Sequence, residues 1–339
     1  VSKSRAGMAA RCPPQGLPAL RERLAMLMRS QGIAVDAGRV LTTQGGTHAI
    51  DLICRAFLQP GDAVVVEDPG YFLLLGRLRQ AGVRIVPVAR LPDGPDLEQL
   101  EAACIEHRPR LIFLQSVVHN PTGWGSTAAN LHRVLMLAER HGVLIAEDDV
   151  QGHFHPGQPT RLAQMSGLQR VIYYSSACKA LSPALRLGYV AAEPELLKPL
   201  MREKIYSVLT TPAPNDQVLL EVLATGRFRK HVERMQQKLG VARAAAARRL
   251  QEAGIVFEGL PEAGMFLWGR VPDGVDVDLL VRAAFRNGIL LSRGATFRAE
   301  GVADPHLRFN AAHSQHVRLS DYLSQRFEAV SRAGATLCR

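Results

Sequence analysis

Residues 173–189 read YYSSACKALSPALRLGY, and this stretch raises the question on which the fold and the function depend. A single lysine, Lys179, lies in a run of small residues that follows an apolar run and precedes Arg186. A lysine near a strand end is usually solvated, because the ammonium group is costly to bury without a partner. The other interpretation is that Lys179 anchors a cofactor covalently. The motifs elsewhere in the chain distinguish the two.

Short apolar runs rich in Val, Ile and Tyr recur on the amino-terminal side of Lys179 and just beyond it, and their length and composition predict strands. They cover residues 63–68, 83–89, 110–116, 142–149, 170–176 and 187–193. Residues 71–82 and 126–142 lie between them and read as helices. Alternating strands and helices predict an α/β fold with a mostly parallel sheet covered by helices on both faces.

The pattern changes at Phe228, where apolar residues begin to recur at steps of three and four over residues 228–254. This spacing predicts one long amphipathic helix. Short strands are predicted beyond it, flanking a helix at 276–287; they cover residues 255–259, 264–271, 288–294 and 306–312. The predicted domains are an N-terminal arm or helix (1–35), a large domain (36–226), and a long interdomain helix with a small α+β domain (227–339).

Composition restricts the class of protein. Of the 339 residues, 47% are hydrophobic and 21% are charged, which is typical of globular enzymes. The chain has no apolar stretch of membrane-spanning length, and its start lacks the apolar core of a signal peptide. The five cysteines are scattered without a C-x-x-C pair, which favours a reducing, cytoplasmic compartment. The net charge of +10 suits an anionic ligand or nucleic acid, but the basic residues are spread among acidic ones, which favours an ordinary basic surface.

Four polar motifs follow predicted strands or open helices. Each alone has a structural explanation, as a turn, a helix cap or a solvated side chain. They are TTQGGTHAIDL (42–52), HNPTG (119–123), AEDDVQG (146–152) and SSACKALSPALR (175–186). Ligands of parallel sheets bind at the carboxyl ends of strands. A helix start that binds anions, a carboxylate, a lysine and an arginine at one sheet edge describe a site for a phosphorylated, protonatable aromatic cofactor.

The order and spacing of these motifs resemble the fold-type I pyridoxal 5'-phosphate (PLP) enzymes, specifically the class I/II aminotransferases. The resemblance extends from GLPALRERLA (16–25) to HLRFN (306–310). Within it, residues 154–176, 210–236 and LPEAGMFLW (260–268) resemble the aminotransferase-like half of MocR-type regulators. Those regulators carry an N-terminal GntR-type winged helix. The implied architecture is the PLP-dependent transferase fold, with a large domain and a smaller α+β C-terminal domain.

The resemblance implies a role for each matching position. Lys179 would form a Schiff base with the cofactor and move protons at the substrate Cα. Asp148 would bind the pyridine nitrogen, with Asp149 as the neighbouring alternative. Asn120 would donate a hydrogen bond to the ring hydroxyl. The remaining implied contacts are Gly46, Thr47, Ser176 and Arg186 on the phosphate, Tyr71 stacked on the ring, and Arg308 clamping a substrate carboxylate.

Several positions depart from the family pattern. Gln151 stands where a tyrosine usually donates to the ring hydroxyl, so an amide replaces a phenol there. Arg11 replaces a tyrosine that reaches the phosphate of a neighbouring subunit, Thr47 and His48 replace a Gln-Gln pair, and Cys178 replaces a serine. These departures leave cofactor binding as the firmer expectation and efficient turnover as the weaker one.

Two further groups of residues have ordinary structural interpretations. His153 and His155 lack a third metal ligand nearby, so no metal site is expected. Arg243, Arg248 and Arg249 are interpreted as a solvated helix face rather than a nucleic-acid contact.

Two functions therefore remain as alternatives. A third option, a cofactor-free relic of an aminotransferase, is disfavoured by the intact set of Lys, Asp and Arg residues. The first is a PLP-dependent aminotransferase that moves an amino group from an α-amino acid to a 2-oxo acid. The second is the PLP-binding effector domain of a MocR-type regulator, whose DNA-binding domain would lie upstream of Val1. A homodimer is expected in either case, because sites in this family are shared between subunits.

Overall fold

The computed structural model describes residues 12–337, and its largest feature is an eight-stranded sheet. In chain order its strands are β1 (Val40–Thr43), β2 (Ala63–Asp68), β3 (Arg84–Leu91), β4 (Gly94–Pro95), β5 (Leu111–Leu114), β6 (Leu144–Asp148), β7 (Val171–Ser176) and β8 (Gly188–Ala191). They lie side by side in the order β1-β8-β7-β6-β5-β2-β3-β4. The central strands β3, β2, β5, β6 and β7 are parallel, whereas β8 is antiparallel to both of its neighbours and β4 to β3. The predicted mostly parallel sheet is confirmed.

Helices cover both faces of this sheet. They are α1 (Pro18–Ser30), α2 (Gly46–Phe57), α3 (Phe72–Gln80), α4 (Leu97–His107), α5 (Ala128–His141), α6 (Leu162–Ser166), α7 (Pro194–Val208) and α8 (Ala213–Ala224). Strand β2 shows why the strands read as unbroken apolar runs. Ala63 and Val65 pack into one core cluster with α1, α4 and α5, whereas Val64 and Val66 pack into another with α2, α3 and α7. Because successive side chains point to opposite faces, both alternating sets must be apolar.

A second, three-stranded sheet lies near the C-terminal end of the chain. Its strands are β9 (Phe266–Arg270), β10 (Ser292–Arg293) and β11 (His306–Asn310), all antiparallel, in the order β10-β11-β9. Helices α10 (Val277–Arg286) and α11 (Val317–Leu337) accompany it. The smaller α+β unit is therefore present as expected, although its boundary with the large unit stays a prediction.

The strand predicted over residues 255–259 is wrong. Only Val256 pairs with a neighbour, in an isolated bridge to Arg270. The chain then leaves the sheet, because the carbonyl of Gly259 accepts a hydrogen bond from the indole of Trp124, 3.4 Å away in the large unit. Pro261 follows and has no N–H to donate to a ladder.

Helix α9 (Arg227–Glu252) joins the two units. Its first buried residues, Phe228 and Val232, belong to the core of the large sheet, whereas Ala246 and Leu250 belong to the core of the small one. One continuous helix therefore contributes to both cores, as the spacing of its apolar residues predicts. Within the described residues, no helix has the length and apolar character needed to cross a membrane.

We predict that Leu250→Ala lowers the free energy of unfolding by about 2–5 kcal/mol, because it opens a cavity in a fully buried position of the small core. Val241→Ala on the same helix is the matched control. Its side chain is exposed, so the change should stay within about 0.5 kcal/mol. Urea unfolding monitored by circular dichroism measures both. Equal losses for the two variants would contradict the assignment of α9 to the small core.

Candidate active site

A cavity of about 340 Å³ lies at the carboxyl edge of the large sheet, where β1, β6 and β7 end. It brings together every residue that the sequence singled out for cofactor or substrate contact and that falls within residues 12–337. These are Gly46, Thr47, Tyr71, Asn120, Asp148, Gln151, Ser176, Lys179, Arg186 and Arg308. Arg11 lies outside the described residues. The roles of the ten residues stay predictions, but their convergence in one cavity is a structural fact.

Helix α2 begins at one end of this cavity with a backbone that only glycine fits comfortably. Gly45 has a φ of +84°. A Cβ there would lie 3.0 Å from the guanidinium of Arg186, and a Cβ on Gly46 would lie 2.7 Å from the side chain of Val150. No side chain among the described residues caps the helix, so within that part of the chain the first amides of α2 keep free N–H groups. The helix start and Arg186 together form a cradle suited to an anion.

Ser176 and Lys179 follow β7 at the same edge. The Ser176 hydroxyl donates to the carbonyl of Leu187 at 2.7 Å and accepts from the amide of Cys178 at 3.1 Å. The family resemblance implies that this hydroxyl contacts a phosphate. To donate to one, the hydroxyl would have to rotate away from the Leu187 carbonyl. Lys179 is exposed, and its amine forms no hydrogen bond or ion pair with another described residue.

Asp148 ends β6 and is buried beneath the cavity. Its carboxylate accepts hydrogen bonds from the Val150 amide at 2.9 Å and the Tyr174 hydroxyl at 3.1 Å. Burial raises its pKa to about 6, although these two hydrogen bonds favour the ionised form. The carboxylate therefore lies ready to accept a proton or a protonated partner from the cavity.

Asp149 points to the other side of the chain, as the alternation along an extended segment requires. Its carboxylate forms an ion pair with Arg161 at 2.8 Å and accepts a hydrogen bond from the Tyr173 hydroxyl at 2.6 Å. Both members of the ion pair are almost fully buried. Asp149 does not line the cavity, so of the two adjacent acids only Asp148 is placed for contact with a cofactor.

Arg308 extends from β11 of the small sheet into the cavity. Its guanidinium donates to the side-chain oxygen of Asn120 at 2.8 Å and lies over the rings of Phe266 and Phe297 at 4.1 and 4.7 Å. Burial lowers its pKa to about 10. Among the described residues no carboxylate lies within ion-pair distance of it, so a half-buried cation faces the cavity without a counter-ion from that part of the chain.

Two more of the predicted contacts have distinct surroundings. The pKa of the Tyr71 hydroxyl is raised by burial and by the charge of Asp148. Gln151 is buried, and its side-chain oxygen has no hydrogen-bond partner among the described residues. A buried amide oxygen without a partner costs free energy, which a ligand in the cavity would recover.

Sequence reasoning missed Gln115, Phe266 and Tyr174 as parts of the site. Gln115 and Phe266 line the cavity, and Tyr174 binds Asp148 from below. Gln115 was visible as a polar residue that ends an apolar run, which is the same signal that identified the other motifs. Phe266 gave no such signal, because an aromatic residue in a strand is ordinarily a core residue.

Local contacts correct the interpretation of Arg243 and account for the position of His153. Arg243 is not simply solvated, since its guanidinium donates to the carbonyls of Gly264, at 3.1 Å, and Glu262, so it ties α9 to the loop before β9. The imidazole of His153 packs edge-on against Phe228. The described part of the chain contains no cluster of three or more His, Cys, Asp or Glu residues arranged to hold a metal.

The sequence model of the family described as aminotransferase class I and II matches residues 3–323. The chain belongs to this family. A 2-aminoadipate transaminase of Thermus thermophilus is 31% identical over 88% of this chain and 76% of its own length. An uncharacterized HTH-type transcriptional regulator of Escherichia coli is 30% identical over 94% of this chain and 68% of its own length.

Solved structures agree with this membership. The α-aminoadipate aminotransferase of Thermus thermophilus, solved with N-(5'-phosphopyridoxyl)-L-leucine, superposes with a TM-score of 0.89 at 27% identity. The match covers 98% of this chain and 86% of that one. The resemblance to aminotransferases, and to the aminotransferase-like part of transcriptional regulators, is therefore confirmed for this class I/II family member.

We predict opposite stability effects for the two adjacent acids in the cofactor-free protein. Asp149→Asn leaves Arg161 buried without its counter-ion and should cost about 3–5 kcal/mol. Asp148 has a folded pKa raised above its ordinary value of 3.8 to about 6, so the stability it provides below about pH 4 is lost as pH rises through 6. Asp148→Asn cannot ionise and keeps that stability.

Denaturant unfolding of both variants at about pH 4 and about pH 7 measures these effects. Asp148→Asn should match the parent at the lower pH and exceed it at the higher one. The assignment of Asp149 to the buried ion pair would be contradicted if Asp149→Asn were as stable as the parent. The assignment of Asp148 would be contradicted if the stability of Asp148→Asn fell relative to the parent as pH rises.

Proposed function

We propose that this chain binds PLP in the cavity and uses it to transfer an amino group from an α-amino acid to a 2-oxo acid. The observation that carries the proposal is the convergence of an amine without a partner among the described residues (Lys179), a buried carboxylate (Asp148) and a half-buried guanidinium (Arg308) around the start of α2. Each of these groups is the chemical complement of one part of PLP or of an amino acid.

The cavity fits PLP at three places. The free amides of Gly46 and Thr47 and the guanidinium of Arg186 suit its phosphate, since a helix start and an arginine both favour negative charge. Asp148 suits the protonated ring nitrogen, because a charged partner would offset the burial that raises the pKa of its carboxyl. The unpartnered oxygen of Gln151 leaves one further polar group for a ligand to satisfy.

The residues of the chain then divide the chemistry. When bound, PLP supplies an electron sink for negative charge that develops at the substrate Cα. The amine of Lys179 would hold the cofactor aldehyde covalently and, once displaced by substrate, would take the proton from Cα and deliver it to the former aldehyde carbon of the cofactor. The Asp148 carboxylate keeps the ring nitrogen protonated. Asn120 positions the ring hydroxyl and, through its side-chain oxygen, the guanidinium of Arg308.

Arg308 provides the site for the α-carboxylate that amino and oxo acids share. Its planar guanidinium binds a carboxylate in two parallel hydrogen bonds. Phe266 and Phe297 flank it and exclude water, which strengthens that interaction. We place this aminotransferase in the cytoplasm, because its scattered cysteines favour a reducing compartment. We propose a homodimer, because sites of the family are shared between subunits.

A second candidate function is the effector-binding domain of a transcriptional regulator. The similarity to a regulator over 94% of this chain but 68% of the regulator's length favours it, as does Gln151 in place of a tyrosine. In that case PLP and an amino compound would bind, but product release would be slow or absent. Nucleic-acid binding would then belong to a separate domain.

We predict that Lys179 is the site of covalent attachment. After incubation with PLP and reduction with borohydride, a phosphopyridoxyl group should be found on the peptide that contains Lys179. Lys179→Ala should lose the modification, whereas the exposed Lys198, changed to Ala as the control, should not affect it. Modification spread over several surface lysines, with none at Lys179, would overturn the proposal.

We predict that Arg308→Ala lowers kcat/KM for α-amino acids about ten- to a hundredfold, the usual effect of removing a hydrogen bond to a charged group. A primary amine without a carboxylate is the control substrate, and its already low rate should not fall further. Equal losses with both substrates would show that Arg308 supports the fold rather than the substrate.

The two candidate functions differ in product formation. Purified protein is incubated with PLP, a panel of α-amino acids and a 2-oxo acid. If it is an aminotransferase, it should release many equivalents of new oxo acid per protein molecule. A regulator domain would bind the amino acid, seen as a change in the visible absorption of PLP, and release less than one equivalent.

A further inference from the structure

The segment between β10 and β11 is attached to the large unit by its backbone. It begins with a short 3-10 turn over residues 294–297. The N–H of Gly70, just after β2, donates to the carbonyl of Phe297 at 2.8 Å. The N–H of Ala299 donates to the carboxylate of Asp68, the last residue of β2, at 2.9 Å. This part of the small unit is therefore held directly against the end of a strand of the large sheet.

Arg298 lies between these two backbone contacts, and its side chain links the two units as well. Its Nη1 lies 3.2 Å from a carboxylate oxygen of Asp68. Its Nε donates to the carboxylate of Asp304, two residues before β11 begins. A guanidinium presents its donors in fixed directions, so a single side chain can bind two carboxylates at once. Arg298 therefore ties the end of β2 to the start of β11.

Both of the elements that Arg298 ties together lead into the cavity. The turn after β2 carries Tyr71, which lines the cavity. At the other end, one carboxylate oxygen of Asp304 accepts from the N–H of His306 at 2.8 Å and lies 2.8 Å from its Nδ1. His306 begins β11, and Arg308 projects from the same face of that strand two residues later. The position of Arg308 relative to Tyr71 therefore depends on the bridge through Arg298.

The residue before Arg298 packs against Arg308 and against both units. Phe297 is almost completely buried, and the guanidinium of Arg308 lies over its ring, with Cζ 4.7 Å from the centroid. The same ring meets Phe72 of the large unit edge-on at 5.8 Å and Trp268 of β9 edge-on at 5.6 Å. Because side chains in such a cluster interdigitate closely, a shift of the segment would move the surface on which Arg308 rests.

We propose that Arg298 is a positioning residue for the substrate carboxylate, and that it acts by bridging Asp68 and Asp304. This inference rests on the proposed function, since it assigns Arg298 to the carboxylate site at Arg308. Arg298 does not line the cavity itself. Loss of the bridge should therefore weaken the binding of a carboxylate and spare the contacts proposed for PLP, which belong to the large unit.

The experiment measures two dissociation constants by calorimetry for the parent and for Arg298→Gln. The first is that of PLP for the cofactor-free protein. The second is that of 4-methylpentanoate for the PLP-loaded protein, because this ligand has the carboxylate and carbon skeleton of leucine without the amino group. Arg298→Gln should bind 4-methylpentanoate roughly three- to thirtyfold more weakly, as expected of a residue that acts through others. Its affinity for PLP should stay within about twofold of the parent.

Two further variants separate the bridge from an effect of charge alone. Arg298→Lys keeps the positive charge but has one ammonium group in place of a planar fork, so it should lose nearly as much as Arg298→Gln. Asp68→Asn removes the charged partner and keeps an oxygen for the N–H of Ala299, and it should show the same loss. The double variant Asp68→Asn, Arg298→Gln should match the single variants to within about twofold, because all of them remove one interaction.

Arg293→Gln is the matched control. Arg293 immediately precedes the same 3-10 turn and pairs with Asp278 at 2.8 Å, and both side chains are about half exposed. This ion pair lies within the small unit and does not reach the large one. Both dissociation constants of Arg293→Gln should therefore stay within about twofold of the parent.

The inference would be overturned if Arg298→Gln bound 4-methylpentanoate as the parent does, or if it lost affinity for PLP equally. Parent-like binding by Arg298→Lys, or losses that multiply in the double variant, would also overturn the bridge. A parent that binds PLP but not 4-methylpentanoate would overturn this inference and leave PLP binding intact. If the parent does not bind PLP, the proposed function falls and this inference with it.

Far-ultraviolet circular dichroism establishes that each variant is folded. If Arg298→Gln does not fold, Asp68→Asn carries the test by itself. A loss confined to the carboxylate ligand is an effect that a general weakening of the fold does not produce.

Discussion

The parallel pairing of β2, β5, β6 and β7 is the constraint on which the site depends. Parallel strands place their carboxyl ends at one edge of a sheet, and the turns that leave this edge hold Tyr71, Asn120, Asp148 and Lys179 within one cavity. β8 is antiparallel on both sides, which brings the end of β1 and the start of α2 to the same edge. No single segment contains a site; the order of the strands assembles one.

Burial then sets the electrostatics of the assembled groups. Among the residues that line the cavity, Arg186 lies beside the helix start and Arg308 lies over two aromatic rings. The buried carboxylate of Asp148 lines the same cavity, and burial raises its pKa. These groups suit a ligand with two anionic groups and a cationic ring nitrogen, which describes PLP together with an amino acid. A network of Arg90, Glu67 and Gln115 beneath the cavity supports that arrangement from the side away from the ligand.

Much of this site could be predicted from the sequence, because its residues lie in motifs at the ends of apolar runs. The runs over 63–68 and 170–176 correspond to β2 and β7, and the four polar motifs contain eight of the ten residues that line the cavity as expected. The strand predicted over 255–259 failed, because Gly259 is held by Trp124 of the other unit, a contact between residues far apart in sequence. Phe266 was missed for the same reason, since only Arg308 above its ring distinguishes it from a core residue.

The sequence alone determined the α/β class, the family resemblance and the identity of Lys179 as the residue to test, since strand periodicity and strand-end motifs are local patterns. The family resemblance favoured Asp148 over Asp149, but only the tertiary structure shows what each acid of the run 147–149 contacts. Glu147 accepts the amides of Leu162 and Ala163 at the start of α6, Asp148 faces the cavity, and Asp149 pairs with Arg161. The three carboxylates are adjacent in sequence. Their environments differ because their side chains leave the backbone in different directions and meet different distant partners.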